Sequence, residues 1–303
     1  MKRGEYLSAP EIKDFMLWLE PRLDTAHSFD HAYRMRRPVR DWHCDSLYAA
    51  YGNYTWPFWY EHPVDNAKIT GRSYQDSQNA LAALSQGLRA SIAQSDHAAC
   101  RRYCRSVLQW GGVLFHNDQR LARLGEGICR YFQDARERFA ADLPYDQYYD
   151  KALMMNAGFT KLYSLSMDNF IIYDGRVGAA LGLLARLYCR ERELNEVPDT
   201  LAFAWGKGRS ARSCSAVKNR RDPSDNLYVF PQLSNPKRHT EHNVKANWLL
   251  QGILNDTTSR FSLLAPASRM RALEAALFMI GYCVNPPQTS GRPVTLPAES
   301  KSF

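Results

Sequence analysis

Two ionisable residues, Lys161 and Asp174, suggest chemistry most directly in this sequence. Asp174 precedes a long apolar run, Val177 to Arg190, and a helix there would fix its carboxylate. A fixed carboxylate can stabilise positive charge that develops on a sugar ring, and it can orient or deprotonate water. A lysine in an apolar, partly desolvated pocket has a lowered amine pKa, and its free amine can attack a sugar carbon and form a Schiff base. The two residue types together suit acid–base or nucleophilic chemistry at a carbon centre.

Both residues also have purely structural interpretations. An aspartate before a helix often serves only as an N-cap, and a lysine usually lies in solvent or contacts a phosphate. Arg176 could be a buried partner for Asp174 or for Asp168, and a fixed ion pair would keep Asp174 ionised at neutral pH. A scaffold role suits Arg176 equally well.

The elements that must position this pair follow from hydrophobic periodicity. We predict a short helix that ends near Met155, a tight connection over 156–160 and a second short helix from Lys161. A loop then leads to Asp174 and the long apolar helix. Further helices are predicted over 10–24, 74–95, 97–110, 119–140, 241–255 and 267–282, with caps at Asp96 and at Asn117 and Asp118. Because hardly any strand pattern is present, the expected fold class is mainly α.

Aromatic residues are concentrated between Tyr48 and Pro63, among turn-forming residues. Basic, aromatic coil precedes this stretch, and the stretch itself is predicted to be an ordered loop. A second shift in composition, between Gly206 and Asn235, indicates a basic loop.

The motifs around the pair resemble a known family. Asn156-Ala-Gly-Phe-Thr-Lys161, followed by Ile172-Tyr-Asp174-Gly-Arg-Val-Gly-Ala-Ala-Leu, is similar to the helix-hairpin-helix glycosylases of the 8-oxoguanine DNA glycosylase type. In that family a Gly-containing hairpin ends in a catalytic lysine, and an aspartate starts the following helix. The resemblance assigns these positions to Lys161 and Asp174, although the hairpin has only one glycine, Gly158. It implies two helical subdomains with a cleft between them.

A closer similarity is to a bacterial branch of proteins with this fold. The matching residues are Lys161, Tyr163, Ser164, Asp168, Ile172, Tyr173, Asp174, Arg176, Val177, Ala180 and Leu181. Phe203-Ala-Trp205-Gly206 and the stretch Arg271 to Tyr282 also resemble that branch. What the resemblance implies is phage defence, in which one kind of enzyme excises α-glucosylated hydroxymethylcytosine from viral DNA.

The resulting expectation is a DNA N-glycosylase, a hydrolase, with an AP-lyase step available through Lys161. Asp174 and Lys161 would be catalytic, and Arg176 and Asp168 would support them. Three alternatives stay open: a repair glycosylase for oxidised bases such as 8-oxoguanine, a non-catalytic DNA-binding protein, and a helical scaffold in which Asp174 is only a cap.

Such an enzyme must contact the backbone of double-stranded DNA and extrude the target nucleotide. The candidate DNA-binding residues are Asn156, Gly158, Thr160, Lys207, Arg209 and Arg212, of which the hairpin would bind phosphate through backbone N–H groups near Gly158. The candidate base-pocket residues are Trp56, Phe58, Trp59, Trp110 and Trp205. The alternative for the aromatic stretch is a lid over a hydrophobic core, and the alternative for the basic loop is a solvated surface.

Composition sets the remaining expectations. The chain has 303 residues, 45% of them hydrophobic, and a formal net charge of +8, which favours a polyanionic partner. Its seven scattered cysteines and the lack of a leader or a membrane-spanning stretch favour the reducing cytoplasm. No metal is expected, because His97, Cys100 and Cys104 lack a fourth ligand and His239 and His242 stand alone. No cofactor, membrane or obligate protein partner is expected either. We expect an N-terminal region over 1–70 packed on a core over 71–285, with the hairpin at 151–176 and a tail at 286–303.

Overall fold

A computed structural model describes residues 1–36, 39–208 and 220–285. Two of the predicted DNA-binding residues, Arg209 and Arg212, lie outside these ranges, as does the predicted tail over 286–303. Within the described ranges, no helix is both long and apolar enough to cross a bilayer.

The described chain is mainly helical, which confirms the expected fold class. Its helices are α1 (Arg3–Ser8), α2 (Pro10–Asp24), α3 (Leu47–Gly52), α4 (Tyr74–Ala93), α5 (His97–Trp110), α6 (Leu114–Leu124), α7 (Ile128–Ala140), α8 (Phe159–Ser166), α9 (Gly175–Glu191), α10 (Pro236–Asp256) and α11 (Pro266–Ile280). Its strands are β1 (His31–Arg36), β2 (Val39–Cys44), β3 (Phe58–Glu61) and β4 (Lys68–Gly71).

The long periodic segments form helices where the sequence predicts them. Helices α2, α4, α5 and α9 match within a few residues, and α10 begins five residues before its predicted start. Asp96 caps α5, as predicted, because its carboxylate accepts a hydrogen bond from the backbone N–H of Ala99 at 2.9 Å.

The predicted helix over 119–140 is wrong as a single element. Helices α6 and α7 are separated by a 3-10 turn that starts at Gly125, whose φ of +52° is a backbone conformation that favours glycine. The predicted cap at Asn117 and Asp118 is also wrong, because α6 already begins at Leu114 and both residues lie inside it.

The basic coil and the aromatic loop were predicted without regular structure, and both contain it. Strands β1 and β2 form an antiparallel hairpin in which Tyr33 pairs with Trp42 and stacks on its ring at 4.7 Å. The aromatic stretch contributes α3 and then β3, which pairs with β4. Alternate residues of β1 and β3 are buried. The sequence therefore contained the two-residue burial period of a strand, although its composition is typical of turns.

The predicted helix ending near Met155 is also absent. A 3-10 turn at Tyr145–Gln147 is followed by irregular chain, in which the Asp150 carboxylate accepts hydrogen bonds from the N–H groups of Ala152 and Leu153. A side chain that bonds nearby backbone in this way competes with helical hydrogen bonds. Only the second helix of the predicted hairpin, α8, forms, and it places Lys161 in its first turn.

The apolar residues form two separate cores. The first combines α1, α2, α3 and the β1–β2 hairpin with α9, α10 and α11. The second combines β3 with α4, α5, α7 and α8. The first 70 residues contribute to both cores, with Tyr6 to Ala50 in the first and Phe58 and Tyr60 in the second.

The start of helix α9 packs closely against the chain over 203–206. At two positions, Gly175 and Gly178, there is no room for a side chain. A Cβ atom at Gly175 would lie 2.8 Å from the backbone of Gly206, and one at Gly178 would collide with the carbonyl oxygen of Ala204. The chain over 203–206 thereby fixes the position of the helix that begins after Asp174.

We expect Gly178→Ala to lower the free energy of unfolding by about 1–3 kcal/mol, because the new methyl group must displace backbone. Urea denaturation measures this change. Gly127→Ala is the matched control, since a Cβ atom there meets nothing within 4 Å, and its effect should stay within about 0.5 kcal/mol. Equal stability of the two variants would contradict the close packing of α9.

Candidate active site

An open cleft of about 950 Å³ lies where the two cores meet, and it contains both Lys161 and Asp174. The aromatic side chains that line it are Tyr54, Trp56, Tyr74, Trp110, Phe278 and Tyr282. The cationic side chains that line it are Arg36, Lys161, Arg176, Lys207, Arg220, Arg221 and Arg271. Among the described lining residues only Asp174 and Glu274 carry carboxylates, so the cleft is electropositive.

Asp174 caps α9 and also faces the cleft. Its Oδ1 accepts hydrogen bonds from the backbone N–H groups of Arg176 at 2.8 Å and Val177 at 3.3 Å. Its Oδ2 lies 3.7 Å from the Nζ of Lys161, and 15% of its side chain is exposed. The carboxylate is therefore both a cap and a member of an ion pair, so the structural and the chemical interpretations of Asp174 are compatible.

Lys161 reaches this carboxylate by passing the backbone that directly follows α5. Its side chain is only 6% exposed, and its Nζ donates a hydrogen bond to the carbonyl oxygen of Ala157 at 3.0 Å. The chain passes so close to Gly111 that a Cβ atom there would lie 2.5 Å from the Lys161 Cδ. The small residue after α5 thus gives Lys161 its path to the cleft.

The electrostatics of the pair follow from burial and from its neighbours. Burial lowers the pKa of Lys161, while Asp174 and Glu274 oppose that shift. Burial alone would raise the pKa of Asp174, but the cations Lys161, Arg176 and Arg221 outweigh it and bring the pKa below its ordinary value. Asp174 is therefore ionised at neutral pH.

The segment over 171–173 brings Asp174 to its place, and side chains from three helices hold it. The bonds are Ile171 N–H to Asn247 Oδ1 (2.8 Å), Ile172 N–H to Glu274 Oε2 (2.7 Å), Tyr173 N–H to Thr160 Oγ1 (2.9 Å) and His239 Nε2 to Tyr173 O (2.6 Å). Every backbone N–H of this buried, irregular segment has a partner. The aspartate is consequently held from both sides of the cleft.

Arg176 lies in an aromatic cage at the same site. Its guanidinium carbon is 4.2–5.0 Å from the ring centroids of Phe278, Trp56 and Tyr282. Burial and the nearby Arg221 lower the pKa of Arg176 to about 10, against the opposing effect of Asp174. Asp168 is not its partner, because that carboxylate is 85% exposed and pairs with Arg89 at 2.6 Å. The predicted supporting role of Asp168 is therefore wrong.

The predicted base-pocket residues divide into two groups. Trp56 and Trp110 line the cleft. Phe58 and Trp205 are buried in the second and first core, respectively, and Trp59 is 48% exposed beside Lys68. Alternate residues of β3 point to opposite sides of the strand, so Phe58 points into the second core and Trp59 points into solvent.

The predicted phosphate grip at the hairpin is wrong. The N–H groups of Gly158 and Phe159 both donate to the Asn156 Oδ1, at 2.7 and 3.1 Å, so the turn satisfies its own donors. Gly158 is needed for a different reason, since a Cβ atom there would collide with the side chain of Asn117. Asn156 itself lines the cleft.

Thr160 is also misassigned as a DNA contact, because it is fully buried. Its Oγ1 donates to the carbonyl oxygen of Ile171 and accepts from Tyr173 N–H and from Asn243 Nδ2. Lys207 lines the cleft, as the prediction requires, and Arg220 and Arg221 join it there.

Glu274 and His239 line the cleft beside the pair and were not predicted as part of the site. Glu274 is buried, and burial raises its pKa against the opposing effects of Arg271 and of the Ile172 N–H. His239 was considered only as half of a metal motif. Glu274 is a charged residue within the apolar run of α11, and this position could have indicated a buried functional group. The sequence offered no comparable signal for His239.

The chain was compared with known proteins. It matches no family model, and no curated protein or solved structure shows significant similarity to it.

We expect Thr160→Val to lower the free energy of unfolding by on the order of 2–4 kcal/mol, because Tyr173 N–H and Asn243 Nδ2 lose their buried acceptor. Chemical denaturation measures this loss. Thr160→Ser retains the hydroxyl and is the control, with a smaller loss of about 1 kcal/mol from the missing methyl group. The same loss in both variants would show that the hydroxyl does not hold the segment before Asp174.

Proposed function

We propose that this chain is a DNA N-glycosylase that hydrolyses the bond between deoxyribose and a modified base. The observation that supports it best is the ion pair of Asp174 and Lys161 inside an electropositive cleft. A scaffold protein has no need of a buried, ionised aspartate that opens onto such a cleft. Fold and chemistry are proposed together: α8, the loop, Asp174 and α9 would be the second half of a helix-hairpin-helix glycosylase motif.

The charge state of the site agrees with the reaction. As the glycosidic bond breaks, positive charge develops on the sugar, and a carboxylate beneath the ring stabilises that charge. Asp174 supplies a carboxylate whose pKa stays below its ordinary value, and whose orientation is fixed by two backbone N–H groups of α9. Because only 15% of the Asp174 side chain is exposed, this stabilisation is stronger than it would be in bulk solvent.

The cleft also agrees with a nucleic-acid substrate. Its arginines and lysines would attract the DNA backbone, and its aromatic walls would stack with an extruded base. A volume of about 950 Å³ is at the upper end for small-molecule sites and is more than an ordinary base needs. Polar groups of Ser77, Gln78 and Glu274 line the same space and could bond sugar hydroxyls. We therefore propose α-glucosylated hydroxymethylcytosine in phage DNA as the substrate and antiviral defence as the role.

The direct test is base release from defined duplexes. The purified protein is incubated with DNA that carries α-glucosylated hydroxymethylcytosine, with unmodified DNA and with 8-oxoguanine DNA, and abasic sites are then measured. We expect abasic sites in the glucosylated duplex alone. Release from 8-oxoguanine DNA instead would favour a repair enzyme, and DNA retention without release from any duplex would leave only a binding protein.

We expect Asp174→Asn to slow base release by roughly 100- to 1000-fold, because a neutral amide does not stabilise the developing cation. DNA affinity should stay within about threefold, since the asparagine side chain can still cap α9. Single-turnover base release and a binding titration measure the two quantities. Asp168→Asn is the matched control and should retain wild-type rates, because Asp168 is exposed and lies away from the cleft lining. Full activity of Asp174→Asn would refute the proposed role.

Lys161 should react with the abasic product. Burial lowers its pKa, which increases the free amine available to condense with the aldehyde of the opened sugar, with loss of water. We expect borohydride to reduce this imine and to trap a protein–DNA adduct with the wild type but not with Lys161→Arg. Active base release without any adduct would identify a purely hydrolytic enzyme.

A further inference from the structure

We propose that His239 is the general base of this site, and that its Nδ1 accepts a proton from the water that attacks the sugar. This role rests on the proposed glycosylase function. It deepens that function by assigning the step that activates water to a residue outside the Asp174 and Lys161 pair.

The geometry of His239 fixes which nitrogen is free. The residue lies near the start of α10, is 5% exposed and lines the cleft. Its Nε2 is 2.6 Å from the carbonyl oxygen of Tyr173. Because a carbonyl oxygen only accepts hydrogen bonds, Nε2 must carry the hydrogen. In the neutral ring Nδ1 then has a lone pair, and no group in the described part of the chain donates to it.

The surroundings of His239 keep the ring neutral. Burial lowers the pKa of His239 to about 4, and Lys161 adds to this shift, while the bond to Tyr173 and the charge of Asp174 oppose it. His242, one turn further along α10, is also neutral, since burial lowers its pKa to about 2. At neutral pH the Nδ1 of His239 is therefore available as an acceptor.

Asp174 is poorly suited to deprotonate water. Its Oδ1 already accepts two backbone N–H groups, and its Oδ2 faces the Lys161 ammonium. One oxygen of Glu274, Oε2, is engaged by the Ile172 N–H and by Arg271. The Nδ1 of His239 supplies a lone pair in this cleft that no described group occupies.

The position of His239 places it beside the reacting centre. The carbonyl that it bonds belongs to Tyr173, the residue directly before Asp174. His239 also interacts electrostatically with both Asp174 and Lys161. An imidazolium formed during the reaction would retain its bond to Tyr173 and would be stabilised by the Asp174 carboxylate.

The step balances as a hydrolysis. The bond from C1′ to the base nitrogen breaks and its electron pair leaves with the base. The water oxygen bonds to C1′, and its proton passes to the Nδ1 of His239. The imidazolium then returns this proton to the departing base. The products are the free base and an abasic sugar, and His239 ends as it began.

We expect His239→Gln to lower the rate of base release by about 100- to 1000-fold with DNA affinity within about threefold, because glutamine can donate to Tyr173 but is not a base. Azide is an anionic nucleophile that needs no base, so added azide should raise the rate of this variant at least about tenfold and give a sugar azide. Wild type and Asp174→Asn should not respond to azide in this way. Single-turnover rates and product analysis measure these outcomes.

His242→Gln is the matched control, a buried histidine of the same helix that does not line the cleft, and it should retain the wild-type rate. If His239→Gln fails to fold, His239→Ala with added imidazole replaces it, and recovery of base release is expected. Undiminished activity of His239→Gln, or a loss that neither azide nor imidazole restores in a folded, DNA-binding variant, would overturn this role. A wild type that releases no base from any duplex would overturn the glycosylase function and this role with it.

Discussion

The structure depends on one constraint: the Asp174 carboxylate must remain charged although it is mostly removed from water. An isolated buried carboxylate would take up a proton, so its charge persists only with bonded donors and nearby cations. The N–H groups at the start of α9 provide the donors, and Lys161 provides the closest cation. Helix α9 keeps these donors in place by packing closely against 203–206, where Gly175 and Gly178 leave no room for a Cβ atom.

The placement of this carboxylate at the boundary of two cores brings it to the lining of the cleft. Lys161 belongs to a helix of the second core, whereas α9 belongs to the first. Polar side chains of α8, α10 and α11 bond the segment over 171–173 and tie the two cores together there. In the proposed enzyme, this support would fix the reacting groups while it leaves the cleft open.

The surplus of cations around the carboxylate has two effects. It lowers the pKa of Asp174, and it makes the cleft a favourable place for a polyanion. In the proposed enzyme the DNA phosphates would offset repulsion among Arg176, Arg220 and Arg221, so substrate binding and the charge state of the site would be coupled. The aromatic cage around Arg176 stabilises one of these cations in the absence of any ion pair within the described chain.

The sequence by itself determined the long helices and the position of Asp174 before α9, because periodic burial and N-caps are local properties that neighbouring residues encode. It did not reveal the two β-hairpins, because strand pairing overrides a turn-like composition. It also did not reveal the break at Gly125 or the absence of a helix before Met155, which depend on the local backbone conformation and on side-chain bonds to the backbone. Only the tertiary structure decided that Trp56 reaches the cleft while Phe58 does not, that Thr160 is a buried support, and that His239 and Glu274 bond the segment before Asp174. These contacts join residues far apart in the chain, and a local pattern carries no information about which distant side chains meet.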